Sequence, residues 1–382
     1  MKKNMIHTKM KLKEIAICIL AVLMFLPLST QAKKQIPALK NVIGKYFLIG
    51  TAVTVDQVEG RDPKATSIIT NQFNSIVAEN CMKPMYLEPA KGQFCWTQAD
   101  SLVQFGLDHG MKVIGHVLIW HNQTAPWMFK DQYGELPGRE EMVRRMHDYI
   151  TTVVGHFKGQ VFGWDVINEA VLDDGSLRKS PWYRTIGPEY FKLAFKFAHE
   201  ADPHAELYYN DYSMSNPQKR ETVVKLIKKL KAAGCRIDAV GMQSHNGYDY
   251  PDLTEYEKSI RAFIAAGVKV QFTELDINML PNPKHFGGAE INQEFQYDQT
   301  LNPYAKGLTQ EAQKVFNSQY LAFFRLYRKY AAHVNRVTLW GVSDNNSWLN
   351  NWPIPGRTNY PLLFDRKYQP KPIVRKIIKL FK

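Results

Sequence analysis

Two carboxylates stand where they could do chemistry. Trp164-Asp165-Val166-Ile167-Asn168-Glu169 ends in an Asn–Glu pair, and Thr273-Glu274-Leu275-Asp276 carries a second glutamate 105 positions beyond Glu169. Each closes a run of β-branched and aromatic residues and precedes a loop and a helical pattern. Carboxylates at strand ends are what a barrel hydrolase would use, one to donate a proton and one to attack or activate water.

The elements that must position them follow a regular alternation. Apolar or β-branched runs occur at 47–53, 75–80, 112–120, 161–169, 206–211, 239–245, 268–278 and 336–344. Helical spacing fills the intervals, at 140–157, 189–200, 221–233, 309–333 and 370–380. Gly110, Gly234 and Gly267 each end a helical pattern just before a strand, where a left-handed cap favours glycine. Asp252 with Glu255 reads as a capping box. Strands apolar at nearly every position indicate a parallel sheet covered on both faces. Eight such units predict an α/β fold, a closed (β/α)8 barrel in a single catalytic domain over residues 33–382. No G-x-G-x-x-G follows the first strand, which weakens a nucleotide-binding alternative.

A barrel should carry its chemistry at the C-terminal ends of its strands. The strand ends hold Glu79-Asn80, then His116, Trp120 and His121, then Asn168-Glu169, then Asn210-Asp211. Gln243 and His245, Glu274 and Asp276, and Trp340 and Asp344 follow. Polar and aromatic residues thus collect at one end of otherwise apolar elements.

The first 32 residues read differently. Lys9, Lys11 and Lys13 precede an apolar run from Ile15 to Leu28, followed by Ser29-Thr30-Gln31-Ala32. This is the pattern of a secretory signal peptide, shorter than the ~20 apolar residues of a membrane span. Residues 1–32 are therefore expected to be cleaved and the protein exported, secreted or periplasmic, with no stable membrane anchor. Their loss takes five Lys and one Glu from 49 basic and 36 acidic residues, leaving 44 and 35, a net charge of +9. The densest cluster, Lys225, Lys228, Lys229 and Lys231, reads as a solvated helix face. It lacks interleaved aromatics, so no nucleic-acid partner is expected. Cys81, Cys95 and Cys235 remain, an odd number without C-x-x-C spacing, which predicts free and mostly buried thiols. A monomer is the default expectation.

Glycosidic bond cleavage needs a carboxyl group to protonate the leaving oxygen and a second to attack the sugar carbon or activate water. Aromatic rings suit the C–H face of a pyranose, and Trp120, Trp127, Tyr212, Trp340, Trp348 and Trp352 lie in loops or at strand ends. Gln243 and His245 are two apart on one predicted strand, as are Glu274 and Asp276 on the next, so each pair shares a face. An Asp–His–Glu chain could hold Glu274 ionised and fixed, as a nucleophile requires. Taken singly, each residue has a plainer reading: Asn168-Glu169 as a helix cap, Glu274 as an ion-pair partner, the tryptophans as core. His116, His121 and His245 could be structural or suggest a metal, but no tight H-x-H pair or H-E-x-x-H supports one.

The residues resemble glycoside hydrolase family 10, the endo-β-1,4-xylanases, over nearly the whole chain after residue 32. The resemblance rests on Ala78–Lys83, Gly115–Gln123, Trp164–Glu169, Tyr209–Tyr212, Gly241–His245, Thr273–Asp276 and Leu339–Asp344, in the family's order. It implies that Glu169 is the acid/base and Glu274 the nucleophile of a retaining double displacement, with carboxyl groups roughly 5–5.5 Å apart. Asn168 is implied as the partner of the sugar 2-hydroxyl, and His245 with Asp276 as support for the nucleophile. Glu79, Asn80, Lys83, His116, Trp120, Gln123, Gln243, Trp340 and Trp348 match glycone-side positions. Asn210 joins the substrate-binding set, and Tyr212 takes the aglycone side. The implied partners are xylan and xylo-oligosaccharides, with no metal or organic cofactor. The loop from Met279 to Gly307 should rim the cleft, and Asn350–Leu363 should cover the glycone side. The alternatives are another retaining β-1,4-glycanase on the same barrel and an inactive sugar-binding barrel.

Overall fold

The apolar runs form nine β-strands among the described residues, 36–284 and 293–382 of a computed structural model. The predicted leader, residues 1–32, lies outside the described residues, as does part of the loop after Met279. The strands are β1 (Leu48–Val53), β2 (Ser75–Ala78), β3 (Lys112–Ile119), β4 (Val161–Asn168) and β5 (Glu206–Asp211). β6 (Ala239–Met242), β7 (His245–Gly247), β8 (Lys269–Asn278) and β9 (Val334–Leu339) follow. All pairings are parallel, and β1 pairs with β9 while β6 pairs with β8, so the sheet closes into a barrel.

Nine strands make eight staves because the sixth is broken. β6 and β7 both lie along β8, separated by Gln243 and by Ser244, whose φ of 68° interrupts the ladder. The predicted strand 239–245 is therefore two pieces, although Gln243 and His245 still face the same cleft. The last strand also shifts. β9 starts at Val334 and stops at Leu339, and Trp340–Asp344 leaves the ladder through Gly341 at φ 128°. The eightfold alternation itself is as the sequence predicts.

Helices cover the outside. Arg139–His156, Tyr190–Ala201, Gln310–Lys329 and Pro372–Phe381 fall within a few residues of the expected spans. The helix expected at 221–233 begins at Pro217 instead, because Asn216 Oδ1 accepts from the Gln218 and Lys219 amides and proline suits the first turn. Only half of the predicted capping box forms. Asp252 accepts from Glu255 N at 2.9 Å, but the Glu255 carboxylate turns to Arg220 and Lys258.

The strands' inward side chains fill the barrel with polar as well as apolar groups. Arg336, 1% exposed, donates to Gln271 Oε1, Thr338 Oγ1 and Asp165 Oδ1 at 3.1, 3.1 and 3.2 Å. Asp165 Oδ2 in turn lies 2.9 Å from His116 Nδ1. Each nitrogen of this buried cation thus has a partner, and its network fixes a histidine at the cleft floor. Packing is tight enough to demand glycine: a Cβ on Gly115 would stand 2.1 Å from Trp164 Cε3.

The three cysteines are free, but only Cys81 is buried. Cys235 is partly exposed and Cys95 exposed, which corrects the expectation of mostly buried thiols. No helix among the described residues is long and apolar enough to cross a membrane.

Candidate active site

The C-terminal ends of the strands surround a cleft of about 530 Å³. Glu169 enters it directly after β4, in the left-handed region at φ 57°. A non-glycine residue held there is strained backbone of the kind that collects at functional sites. The surroundings fix it: Glu169 N donates to Asn210 O at 2.9 Å, and Arg178 Nε donates to Glu169 O at 2.9 Å. Its carboxylate is 5% exposed at the residue level and accepts from Trp120 Nε1 and Gln243 Nε2, both at 2.8 Å. Burial pushes its pKa up to about 7, aided by the charges of Asp211 and Glu274 and opposed by those two hydrogen bonds. This carboxyl group therefore still holds a proton about half the time at neutrality, where an ordinary glutamate is fully ionised.

Glu274, equally buried, is held the opposite way. Its Oε1 accepts from Asn210 Nδ2 at 2.8 Å, and its Oε2 lies 3.1 Å from His245 Nε2. His245 Nδ1 lies 3.0 Å from Asp276 Oδ2, which also accepts from Trp348 Nε1 at 2.9 Å. Burial alone would lower the imidazole pKa, but the charge and hydrogen bond of Asp276 and those of Glu274 raise it to about 10. The ring is therefore a cation donating to both carboxylates. For Glu274, burial is the largest influence and raises its pKa. The His245 hydrogen bond and charge, with His116 and Asn210, outweigh burial and leave it below the ordinary value. Two buried glutamates on one cleft have thus been driven apart, one protonated and one ionised.

The amides between them form one network. Asn168 Oδ1 accepts from Asn210 Nδ2 at 3.0 Å and from Gln243 Nε2 at 3.3 Å. Asn210 Oδ1 accepts from Thr273 Oγ1 at 2.6 Å. Asn210 is 0% exposed and lies behind Glu274, away from the cleft lining. Asn210, expected in the substrate-binding set, here bridges Asn168 and Glu274.

Every other residue of the expected set lines the cleft. Lys83 Nζ donates to Gln123 Oε1 at 2.7 Å and Asn80 Oδ1 at 3.1 Å, and it lies 5.3 Å from the Trp120 ring center. Burial raises the Glu79 carboxyl and lowers the Lys83 amine, each partly offset by the other's charge. Trp340 meets His116 edge to face at 5.5 Å, and Trp348 stacks on Trp352 at 4.6 Å. Tyr212 lies on the opposite side, its hydroxyl accepting from Arg178 Nη2 at 3.1 Å. Trp127 is not on the cleft: its indole donates to Glu88 O, tying down a surface loop. His121 also lies outside it, and burial, helped by Arg178, drops its pKa to about 3. No group of three His, Cys, Asp or Glu side chains among the described residues is arranged to hold a metal.

The sequence reading did not single out Lys219. It is fully buried, 2.8 Å from Asp211 Oδ1, and its ammonium lies 3.3 Å from the Tyr212 ring center. Asp211 also accepts from Val171 N at 3.2 Å, from Tyr212 N at 2.9 Å and from the Tyr209 hydroxyl. The pair therefore clamps the chain just after Glu169. The Asn216-Pro217 helix start, legible as a cap, would have placed Lys219 in a first turn beside the strand end. Tyr250, Asn278 and Asn282 also line the cleft, from loops without a periodic signal.

The model of the family described as Glycosyl hydrolase family 10 matches residues 38–380. The chain is 60% identical over 359 residues to "Endo-1,4-beta-xylanase A" of Xylanibacter ruminicola, covering 94% of this chain and 97% of that one. It is 38% identical over 350 residues to "Endo-1,4-beta-xylanase" of Geobacillus stearothermophilus, covering 91% and 99%. Among solved structures, a GH10 endoxylanase retrieved from sugarcane soil metagenome superposes with a TM-score of 0.86 at 41% identity, covering 91% and 100%. With the same barrel and a match across nearly its whole length, the chain belongs to glycosyl hydrolase family 10.

Proposed function

We propose that the protein is an exported, retaining endo-β-1,4-xylanase that cuts internal bonds of xylan through a covalent glycosyl-enzyme. The observation that carries this reading is the opposed ionisation of Glu169 and Glu274 on one cleft. The substrate follows from relatives named as xylanases, and the aromatic walls at Trp340 and Trp348 suit a sugar chain.

In the first step Glu274 attacks the anomeric carbon while the bond to the leaving sugar breaks. Glu169 gives its proton to the departing oxygen. Forming the ester removes the charge of Glu274, one of the influences that raises the Glu169 pKa. Glu169 is then a more stable carboxylate, ready to take a proton from water as that water attacks the same carbon. Glu274 leaves as a carboxylate and Glu169 is reprotonated. His245 and Asp276 keep Glu274 ionised and oriented throughout, and the Asn168 amide is free to donate to the 2-hydroxyl. The N-terminal basic and apolar pattern supports export.

Product release from xylan, mannan and cellulose tests the assignment. Xylo-oligosaccharides from xylan are expected, and activity confined to mannan or cellulose would overturn it.

A further inference from the structure

We propose that a polar pocket beside the glycone end of the cleft is a subsite for an acidic branch of the substrate, a uronate carboxylate held by Arg366. The inference rests on the xylan-chain reading above and names a substituent which that chain would carry.

The pocket encloses about 510 Å³ and shares two walls, Glu79 and Trp348, with the cleft. The family resemblance puts both walls on the glycone side, so a group entering the pocket beside a bound sugar chain would branch from that side. Its other walls come from the segment Asn345–Asn351 and from residues 356–358 and 366. Asparagine, serine and threonine side chains there match sugar hydroxyls. Two guanidiniums line the pocket, Arg357 and Arg366, against one carboxylate, Glu79, whose ionisation burial disfavours.

Neither arginine has a carboxylate within ion-pair distance among the described residues. Among the described residues Arg357, 2% exposed, donates only to the carbonyls of Pro281 and Trp352, at 3.1 and 3.2 Å, and its buried Nε has no partner. A buried cation answered only by carbonyl dipoles leaves a net positive field. Lys371 nearby adds little, because it is paired with Asp344 at 2.7 Å.

Arg366 supplies the contact. Its Nη1 donates to Asp344 O, Asn350 Oδ1 and Asn359 O at 3.1, 3.0 and 3.4 Å, which pins one corner of the guanidinium. Among the described residues its Nε and Nη2 make no hydrogen bond. Those two groups form the edge that meets a carboxylate with two parallel N–H bonds. The side chain is only part-buried, so that edge is reachable. Arg357 acts behind it through its charge.

The test uses the full enzyme and three oligosaccharides: an unsubstituted xylo-oligosaccharide, the same chain with one O-2-linked glucuronic acid, and that branched chain after reduction of its carboxyl group. Cleavage of the acidic chain is expected to leave the branch on the glycone-side fragment. Its kcat/KM should exceed that of the carboxyl-reduced chain about tenfold, the scale of one charge-assisted bond. In Arg366→Gln that ratio should fall close to 1. Equal rates on acidic and reduced chains with the native enzyme would overturn the subsite, as would branches found only on aglycone-side fragments. The native-enzyme comparison holds even if the variant folds poorly. Failure to cut the unsubstituted chain would instead refute the xylanase reading.

Discussion

His245 Nε2 lies 3.1 Å from Glu274 Oε2, and the imidazolium it belongs to is what keeps a buried glutamate ionised. Glu169, whose carboxylate is hydrogen-bonded by an indole and an amide rather than by a cation among the described residues, goes the other way. The opposed ionisation of two equally buried glutamates thus turns largely on one histidine and the aspartate that charges it.

Removing that cation should move the acid limb of the pH profile. In His245→Asn, the Glu274 pKa is expected to rise by about 1–3 units, the effect of losing an adjacent opposite charge. In the proposed mechanism Glu274 attacks as a carboxylate, so activity should then be lost at a higher pH as the solution is acidified. The profile of kcat/KM reads this directly, and an unmoved acid limb with a uniformly lower rate would count against it.

Glu169 governs the other limb. In the proposed mechanism its protonated form donates to the leaving oxygen, so kcat/KM should fall as pH rises through about 7. In Glu169→Ala, xylan hydrolysis should drop by about 10²–10⁴-fold, while aryl glycosides with acidic leaving groups lose far less in the glycosylation step. Equal losses on both substrates would argue against its role as the acid.

Lys219 is predicted to matter for stability. Lys219→Met leaves Asp211 buried without its cation, and breaking such a pair costs about 3–5 kcal/mol. Chemical denaturation would measure it. A variant as stable as the parent would show that Asp211 is balanced by its other donors alone.

Gly115→Ala tests the barrel packing away from the chemistry. The added methyl meets the Trp164 ring, and relieving the overlap should destabilise the fold by about 1–3 kcal/mol. Thermal unfolding is the readout.

Much of this was legible in the sequence because a parallel barrel writes its strands as apolar runs and its chemistry at their ends. Glu169, Glu274, His245 and Asp276 were found through that rule and the two-residue period of a strand. The break at Ser244 was not, since its positive φ depends on tertiary packing rather than on side-chain pattern. The bracing position of Asn210 behind Glu274 was not legible, because a strand-end amide reads the same whether it faces a cleft or braces a neighbor. Whether Trp127 covers the cleft or anchors its loop was likewise not legible, since an aromatic in a loop can do either. Arg366 gave no signal beyond charge, because its partners lie in irregular loop segments, while for Lys219 the Asn216 cap marked a helix start but not the burial of its side chain against Asp211.

The most direct test of the catalytic assignment is to trap the intermediate. An activated 2-deoxy-2-fluoro-xylobioside should label the enzyme once, and mass spectrometry of the digested protein should place the sugar on Glu274. Label on Glu169, or steady hydrolysis with first-formed product of inverted anomeric configuration, would contradict the account.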